Sequence, residues 1–251
     1  MARLILSLLG PLYITLDGEP LTAFRSDKER ALLAFLALEA DRSHRREALI
    51  GLLWPEQPES LALNNLRKSL ARLRQAIRDQ EADPPFLLIT PKTIQFNSKS
   101  DYWLDVANFT SLLDACRQHR HRHLETCAGC NQRHEQAADV YRGDLLHGFF
   151  LADCVAFDEW ALIKREWLRR RALDSLACLA EFYTRRAEYA LAQQYALRQI
   201  AVEPWRESAY RQLMRALALS GERGAGTICG MSSGAGRGAR RRAGGGYSRA
   251  L

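Results

Sequence analysis

"NNLRKSLARLRQAI", residues 64–77, places apolar side chains at Leu66, Leu70, Leu73 and Ile77. Steps of four, three and four put all of them on one stripe of an α-helix. With about 100° between successive residues, the side chains opposite the stripe are Asn64, Lys68, Ala71, Arg72 and Gln75, and Arg67 and Arg78 lie on a flank. No acid interrupts this face. A solvated helix face is the commoner use of polar residues, but such faces usually mix acids with bases in i, i+4 pairs. A cationic, amide-bearing face with a small residue in it suits a DNA major groove, where Lys and Arg meet phosphates and Asn or Gln can pair with an adenine edge.

The flanking sequence supports that reading. Pro58 stands at the first turn of this helix, and Pro55 ends a preceding one that starts after Ser43 and runs to Leu53–Trp54. Earlier still, Ser26 and Glu29 form a capping-box pair ahead of the apolar run from Ala31 to Leu38. The chain begins with two strand-like runs, 3–9 and 12–16, joined at Gly10-Pro11 and followed by an Asp17-Gly18 turn. After the quoted helix, Asp83-Pro84-Pro85 leads into "FLLIT" and "TIQFN", a hairpin around Pro91-Lys92. Three helices and then a hairpin is the winged-helix order, in which the third helix reads DNA. The expected contacts are Asn64, Arg67, Lys68, Arg72 and Gln75, with Lys92 and Lys99 of the hairpin region at the backbone.

From Asp105 onward the periodicity is helical throughout. The segments are "VANFTSLLDAC", "HEQAADVYRG", a long stretch from Phe157 to Arg186, "YALAQQYALRQIAVE" and "RESAYRQLMRALALSG", jointed at Gly143, Pro204 and Gly221. Trp160, Trp167, Phe182, Tyr183, Tyr189 and Tyr195 recur at helical spacings and read as the interior of a helix stack. The fold class is therefore mainly α. An N-terminal winged helix-turn-helix with short β-strands (1–98) precedes an all-α, tetratricopeptide-like helical bundle (105–221), and 222–251 is a Gly/Arg-rich tail expected to be disordered.

Here the sequence resembles a known family. "SDKERALLAFLAL", "HRREALIGLLWPEQPESLALNNLRKSLARLRQAI" and the hairpin look like an OmpR/PhoB-type winged helix in the version used by SARP-type bacterial transcriptional activators. "YRGDLLHGFF", "FDEWALIKREWLRRRALDSLACLAEFY" and "RQIAVEPWRESAYRQLMRALALSG" resemble the bacterial transcriptional activator domain. The resemblance implies a sequence-specific activator that binds repeats in double-stranded promoter DNA and recruits RNA polymerase, with the helical half mediating self-association or inter-domain contact. Some relatives carry a downstream ATPase, which this sequence lacks. A competing reading is a protein-interaction scaffold whose winged helix binds protein, since fold alone does not decide function.

Composition bounds the rest. Hydrophobic residues make up 47%, so a sizeable core is expected. The net charge is +7, but residues 224–251 hold five Arg and no acid, which leaves the body at +2 and makes any nucleic-acid argument depend on a local patch. No apolar run is long enough for a membrane span, and the N-terminal run reads as strands rather than a signal peptide, so the expected location is cytoplasmic. No phosphate loop or nucleophile motif is present, and the Asp144–His147 pair stands without one, so no enzyme is expected.

Six cysteines in a cytoplasmic chain do not suggest disulfides first. "CRQHRHRHLETCAGC" contains His123, Cys127 and Cys130, with His119, His121 and Cys116 as further ligand types for zinc. The spacing resembles the zinc motif of some anti-sigma factors, over a short span. In an unbroken helix His123 and Cys130 would stand about 10 Å apart along the axis, so a site requires the helix to break, and Ala128-Gly129 is where Gly permits it. The alternative is a polar inter-helix loop with incidental thiols, the commoner outcome for such a pattern.

The tail "GAGTICGMSSGAGRGARRRAGGGYSRAL" has no apolar period and is too rich in Gly for a helix. It reads as a basic arm, a linker or a shifted frame. Codons compatible with it, read one base later, can encode an amphipathic helix ending "ELGVEP". A frameshift near Gly224 is the expectation, with the apolar face of 205–220 left exposed.

Overall fold

The computed structural model describes residues 3–119 and 127–221. It opens with three strands: β1 (Leu4–Ser7), β2 (Tyr13–Leu16) and β3 (Glu19–Pro20). Then come α1 (Asp27–Leu38), β4 (His44–Arg45), α2 (Arg46–Leu53), α3 (Glu59–Ala76), β5 (Leu87–Ile89), β6 (Thr93–Phe96) and β7 (Tyr102–Leu104). Five helices complete it: α4 (Asp105–Gln118), α5 (Ala128–Val140), α6 (Val155–Arg185), α7 (Tyr189–Val202) and α8 (Glu207–Leu219). The mainly α architecture and the order of the expected helices and hairpin are as the sequence indicated. No helix among the described residues is long and apolar enough to cross a membrane.

Two small sheets frame the winged helix. One has the order β3-β2-β1-β7, the other β4-β6-β5. The two-residue β4 and the strand β7 were not foreseen. β7 sits in the stretch read as a boundary and pairs in parallel with β1, Leu4 opposite Tyr102 and Leu6 opposite Leu104. The segment joining the two halves is therefore part of the N-terminal sheet.

The apolar stripe of α3 behaves as its period dictates. Leu66, Leu70, Leu73 and Ile77 are all buried, Ile77 just past the last helical residue. Arg78 at φ 50° turns the chain out of the helix. The preceding helix, α2, has no basic residue in its own last turn, and tertiary structure supplies one. Lys28 of α1 donates to the Leu53 carbonyl at 2.6 Å, and the Cys154 thiol reaches the same oxygen at 3.2 Å. Those two bonds close the α2 C-terminus and fix the turn into α3.

At the start of α1 the expected capping box does not form. Ser26 is the N-cap residue but makes no side-chain cap bond. Glu29 accepts from the Arg25 amide at 2.9 Å instead of from Ser26. The carboxylate still satisfies an N-terminal donor, one residue earlier than the motif prescribes, because Glu29 is fully buried and turned inward.

The halves share one core. A single cluster of buried apolar side chains runs from Leu4 through α1–α3 to Phe157, Leu168 and Ala172 of α6. Three polar joints reinforce it. Asp105, at the start of α4, accepts from the Leu8 and Leu9 amides at 2.7 and 2.8 Å. Residues 8–10 exchange backbone hydrogen bonds with 144–147, Leu146 N–H to Leu8 O at 2.8 Å and Gly10 N–H to Asp144 O at 3.0 Å. Gly10 holds φ +111°, a conformation that favours glycine, where these two backbones meet. Glu39, at the C-cap of α1, accepts from Trp160 Nε1 at 3.0 Å and Lys164 Nζ at 2.8 Å on α6.

In the helical half, α6 spans 31 residues and packs on α5 and α7, and α8 packs on α7. Phe182 is buried, and Tyr183 stacks on Tyr195 with centroids 5.6 Å apart. Trp167 departs from the expected interior placement: it is 47% exposed, with the Arg171 guanidinium 4.9 Å above its ring. Arg171 is itself held by Asp114 of α4 at 2.6 Å, so the indole rests on the rim of the α4–α6 contact and not inside it. The expected tail, 222–251, lies outside the described residues.

Candidate nucleic-acid interface

α3 runs 18 residues, a rod of about 27 Å at 1.5 Å per residue. Its outward ridge carries Arg67, Lys68, Ala71, Arg72 and Gln75, all exposed, with Asn64 half-buried at its edge. The neighbouring Asn65 is committed elsewhere, donating to the Gln57 side chain at 2.6 Å. Ser60 and Leu61 at the N-terminal end of the same ridge are also exposed, Leu61 to 48%. Ser60 and Leu61 are missing from the expected contacts because the face is weighed there only from Asn64 on, although the helix starts at the Pro58 boundary. An exposed apolar residue one turn before Asn64 was the signal available.

Acid enters the picture at the other end. The α3 face bears none after Glu59, but tertiary structure brings three acids to its C-terminal half. Glu29 Oε1 lies 3.7 Å from Arg72. Asp17 and Glu19, around the β2–β3 turn, line a groove with Arg72, Gln75 and Arg78. Glu29 is fully buried, and its Oε1 has no hydrogen-bond partner, so the Arg72 guanidinium is a charge partner to that oxygen. Arg72 thus has a structural duty that the helical wheel could not reveal. The stretch from Ser60 to Ala71, after Glu59, carries no acid of its own and lies outside that groove. In helix-turn-helix proteins it is the N-terminal residues of the recognition helix that touch base edges.

The hairpin β5–β6 stands beside this unit and is tied to α2. The Arg46 amide donates to Lys92 O at 3.1 Å, and its guanidinium donates to Thr90 O at 3.0 Å. Thr90 Oγ1 and Thr93 Oγ1 lie 2.8 Å apart and brace the tip, where the Lys92 and Thr93 amides donate to Thr90 Oγ1 at 3.2 and 2.8 Å. Lys92 is held exposed at the tip; Lys99 is exposed beyond the second strand.

The Asp144–His147 pair is not a constellation. Asp144 accepts from Tyr141 Oη at 3.0 Å and from Arg169 through Nε at 3.0 Å and through a second, shorter contact. Burial works to raise this carboxyl, but the Arg169 and Tyr141 bonds and the Arg169 charge outweigh it and hold it below the usual carboxylate range. It is a latch between the residue 143–147 segment and α6.

A second cluster of chemistry-bearing side chains lies at the α4–α5 junction. His119 closes α4 and Cys127 is the N-cap of α5. The break thus falls before Cys127, and Gly129 lies within the first turn of α5, contrary to the expected break at Ala128-Gly129. His119 Nδ1 stands 3.2 Å from Cys130 Sγ and 3.5 Å from Cys127 Sγ. Of the expected metal residues, His123, like His121, lies outside the described residues.

Comparison with known proteins agrees with this organisation. The family "Transcriptional regulatory protein, C terminal" matches residues 22–93, and "Bacterial transcriptional activator domain" matches residues 104–226. The regulatory protein AfsR of Streptomyces coelicolor is 32% identical over 221 residues, 85% of this chain and 20% of AfsR. The transcriptional regulatory protein EmbR of Mycobacterium bovis is 37% identical over 86 residues, 34% of this chain and 22% of EmbR. The chain spans about a fifth of the length of these curated relatives. In fold, it is similar to Mycobacterium tuberculosis EmbR, solved in complex with a low-affinity phosphopeptide, with TM-score 0.69 and 23% identity over 90% of this chain and 57% of that one. With a winged helix of the OmpR/PhoB type joined to a bacterial transcriptional activator domain, the chain belongs to the SARP-type bacterial transcriptional regulators.

Proposed function

We propose that this regulator binds double-stranded promoter DNA through α3 and activates transcription by recruiting RNA polymerase. The observation that carries the reading is the run of α3 after Glu59, where exposed Ser60, Leu61, Arg67, Lys68 and Ala71 and half-buried Asn64 share a ridge with no acid among them. A major groove admits a helix of this width, and Arg67 and Lys68 suit phosphates or guanine edges. Asn64 suits adenine, and Leu61 suits a thymine methyl. Arg72 and Gln75 follow the groove further along, and Lys92 at the hairpin tip meets the backbone of the flanking segment. The helical half serves polymerase and a second copy bound at the adjacent repeat. It offers an apolar strip on α6, where Leu162, Ile163 and Trp167 are 51%, 70% and 47% exposed.

The test is fluorescence anisotropy with the DNA flanking the chain's own gene, read as a function of salt. Changing Arg67 and Lys68 together to Ala lowers affinity and makes the salt slope shallower by about two units, one for each phosphate left without its cation. Unchanged affinity and slope in that double variant remove α3 from the interface and favour a winged helix that binds protein.

A further inference from the structure

Three ligand atoms that zinc favours meet at the hinge between α4 and α5. His119 Nδ1, Cys127 Sγ and Cys130 Sγ all lie within 4.8 Å of one another. The nitrogen stands 3.2 and 3.5 Å from the two sulfurs. Around one tetrahedral zinc ion, bonds of roughly 2.3 Å to sulfur and 2.05 Å to nitrogen set a sulfur–nitrogen separation of about 3.6 Å. The ring nitrogen therefore stands from each sulfur at close to the separation that one ion sets.

A fourth candidate stands one turn before His119. Cys116 is buried on α4, and its thiol points across the junction to the Cys130 carbonyl at 3.5 Å. Residues i and i+3 share a helix face, so Cys116 and His119 present together from the end of α4. Cys127 and Cys130 have the same spacing at the start of α5. The pattern is C-x2-H, a seven-residue connection, then C-x2-C. Two such pairs, one on each helix, supply the four ligands of a closed structural site.

We propose that Cys116, His119, Cys127 and Cys130 bind one structural zinc ion that clamps the end of α4 to the start of α5. A redox pair of Cys127 and Cys130 would need only two sulfurs. It leaves unexplained why a histidine ring nitrogen sits against both of them and why a third thiol reaches the Cys130 backbone beside them. The clamp has a clear mechanical use. α4 and α5 form the first helical hairpin of the activator domain, and α6 packs across it, with Asp114 of α4 holding Arg171 and His134 of α5 2.8 Å from Ser175. Tying the hairpin where α4 ends and α5 begins fixes the platform on which α6 rests.

The full chain, purified under reducing conditions without chelator, should carry about one zinc per chain by atomic emission. After exchange with cobalt, the visible spectrum should show tetrahedral d–d bands and a thiolate charge-transfer band of three-sulfur intensity. Changing Cys116 to Ser should lower that band by a third, and changing His119 to Ala should leave the sulfur band while shifting the d–d envelope. Changing both Cys127 and Cys130 to Ser should abolish metal uptake. The proposal is overturned if wild-type protein holds no zinc and gives no tetrahedral cobalt spectrum after reduction, or if a Cys127–Cys130 disulfide accounts for both thiols. If Cys116→Ser leaves the charge-transfer band at full intensity, the four-residue ligand set is wrong.

Discussion

Removing the Glu39 carboxylate should loosen the joint between the winged helix and the helical domain by an amount that depends on pH. Glu39 is 7% exposed and takes three side-chain donors: Trp160 Nε1 at 3.0 Å, Lys164 Nζ at 2.8 Å and Arg42 at 2.9 Å. Lys164 and Arg42 keep 36% and 64% of their side-chain surface, so on losing Glu39 they regain water and forfeit about 0–1 kcal/mol each. The Trp160 indole packs edge-on against Phe35 at 4.9 Å, and its stranded N–H costs about 1–3 kcal/mol. Glu39→Ala should therefore destabilise the protein by about 1–5 kcal/mol. Glu39→Gln keeps an oxygen for Trp160 and should lose only about 1–1.5 kcal/mol. Burial works to raise the Glu39 carboxyl, but bonds from Lys164 and Trp160 and the charges of Lys164 and Arg42 outweigh it and hold it below the usual carboxylate range. A carboxyl held low in the folded state adds stability above its unfolded value of about 4.3, and that stability is lost as pH falls through the folded value. Urea unfolding followed by tryptophan fluorescence and by circular dichroism at pH 7 and at pH 3 measures both effects. The Gln variant should approach wild type at the lower pH, whereas the Ala variant should remain weaker. An equal gap for Gln at both pH values, or an Ala cost under about 0.5 kcal/mol at pH 7, refutes the reasoning.

Other expectations follow from the same geometry. Asp105→Ala strands the buried Leu8 and Leu9 amides and should cost about 3 kcal/mol or more, seen as a fall in melting temperature. Arg72→Ala should lower stability by about 1 kcal/mol as well as DNA affinity, because it leaves the buried Glu29 without its charge partner at 3.7 Å. Arg67→Ala and Lys68→Ala, both exposed, should instead change binding while the melting temperature stays within about 1 °C of wild type. Gly10→Val should destabilise strongly, since Gly10 combines φ +111° with a backbone approach to residues 142–143, and calorimetry is the direct check.

What the sequence disclosed was what local period and punctuation encode. The stripe of α3, its start at the Pro58 boundary, the hairpin around Lys92 and the five later helices all follow from spacings within about a turn or two of one another. What it hid depends on residues far apart in the chain. β7 takes strand geometry only by pairing with β1, roughly a hundred residues earlier, and three residues carry no periodic signal. Glu29 looks like a capping residue in sequence and becomes a buried partner of Arg72 because α1 and α3 cross. At the candidate site, the face of α3 was legible and its acidic neighbours were not, since Asp17, Glu19 and Glu29 arrive from other elements. In the cysteine–histidine segment the ligand types were legible, but helical arithmetic placed the break too late. His119 leaves α4 with extended backbone, ψ 120°, and Cys127 is already the N-cap of α5, so Gly129 lies inside a helix and not at its break.

The joint between the halves has a consequence for how a regulator of this build can act. The α2–α3 turn is not held by the winged helix alone: Leu53 O receives both Lys28 from α1 and Cys154 from just before α6. Phe35, His44 and Trp160 form a continuous aromatic contact from α1 and β4 to α6, with both ring pairs 4.9 Å apart. α6 in turn carries the exposed Leu162, Ile163 and Trp167. The surfaces proposed for protein partners and for DNA are thus joined through α2, which packs on both α3 and α6, by packed side chains and not by a linker. A rigid joint of this kind sets the angle between a bound DNA axis and whatever docks on α6, which is the geometric requirement for presenting a second protein at a fixed distance along a promoter. Loosening it through Glu39 should leave affinity for a single DNA site nearly intact while weakening any activity that needs both surfaces engaged at once.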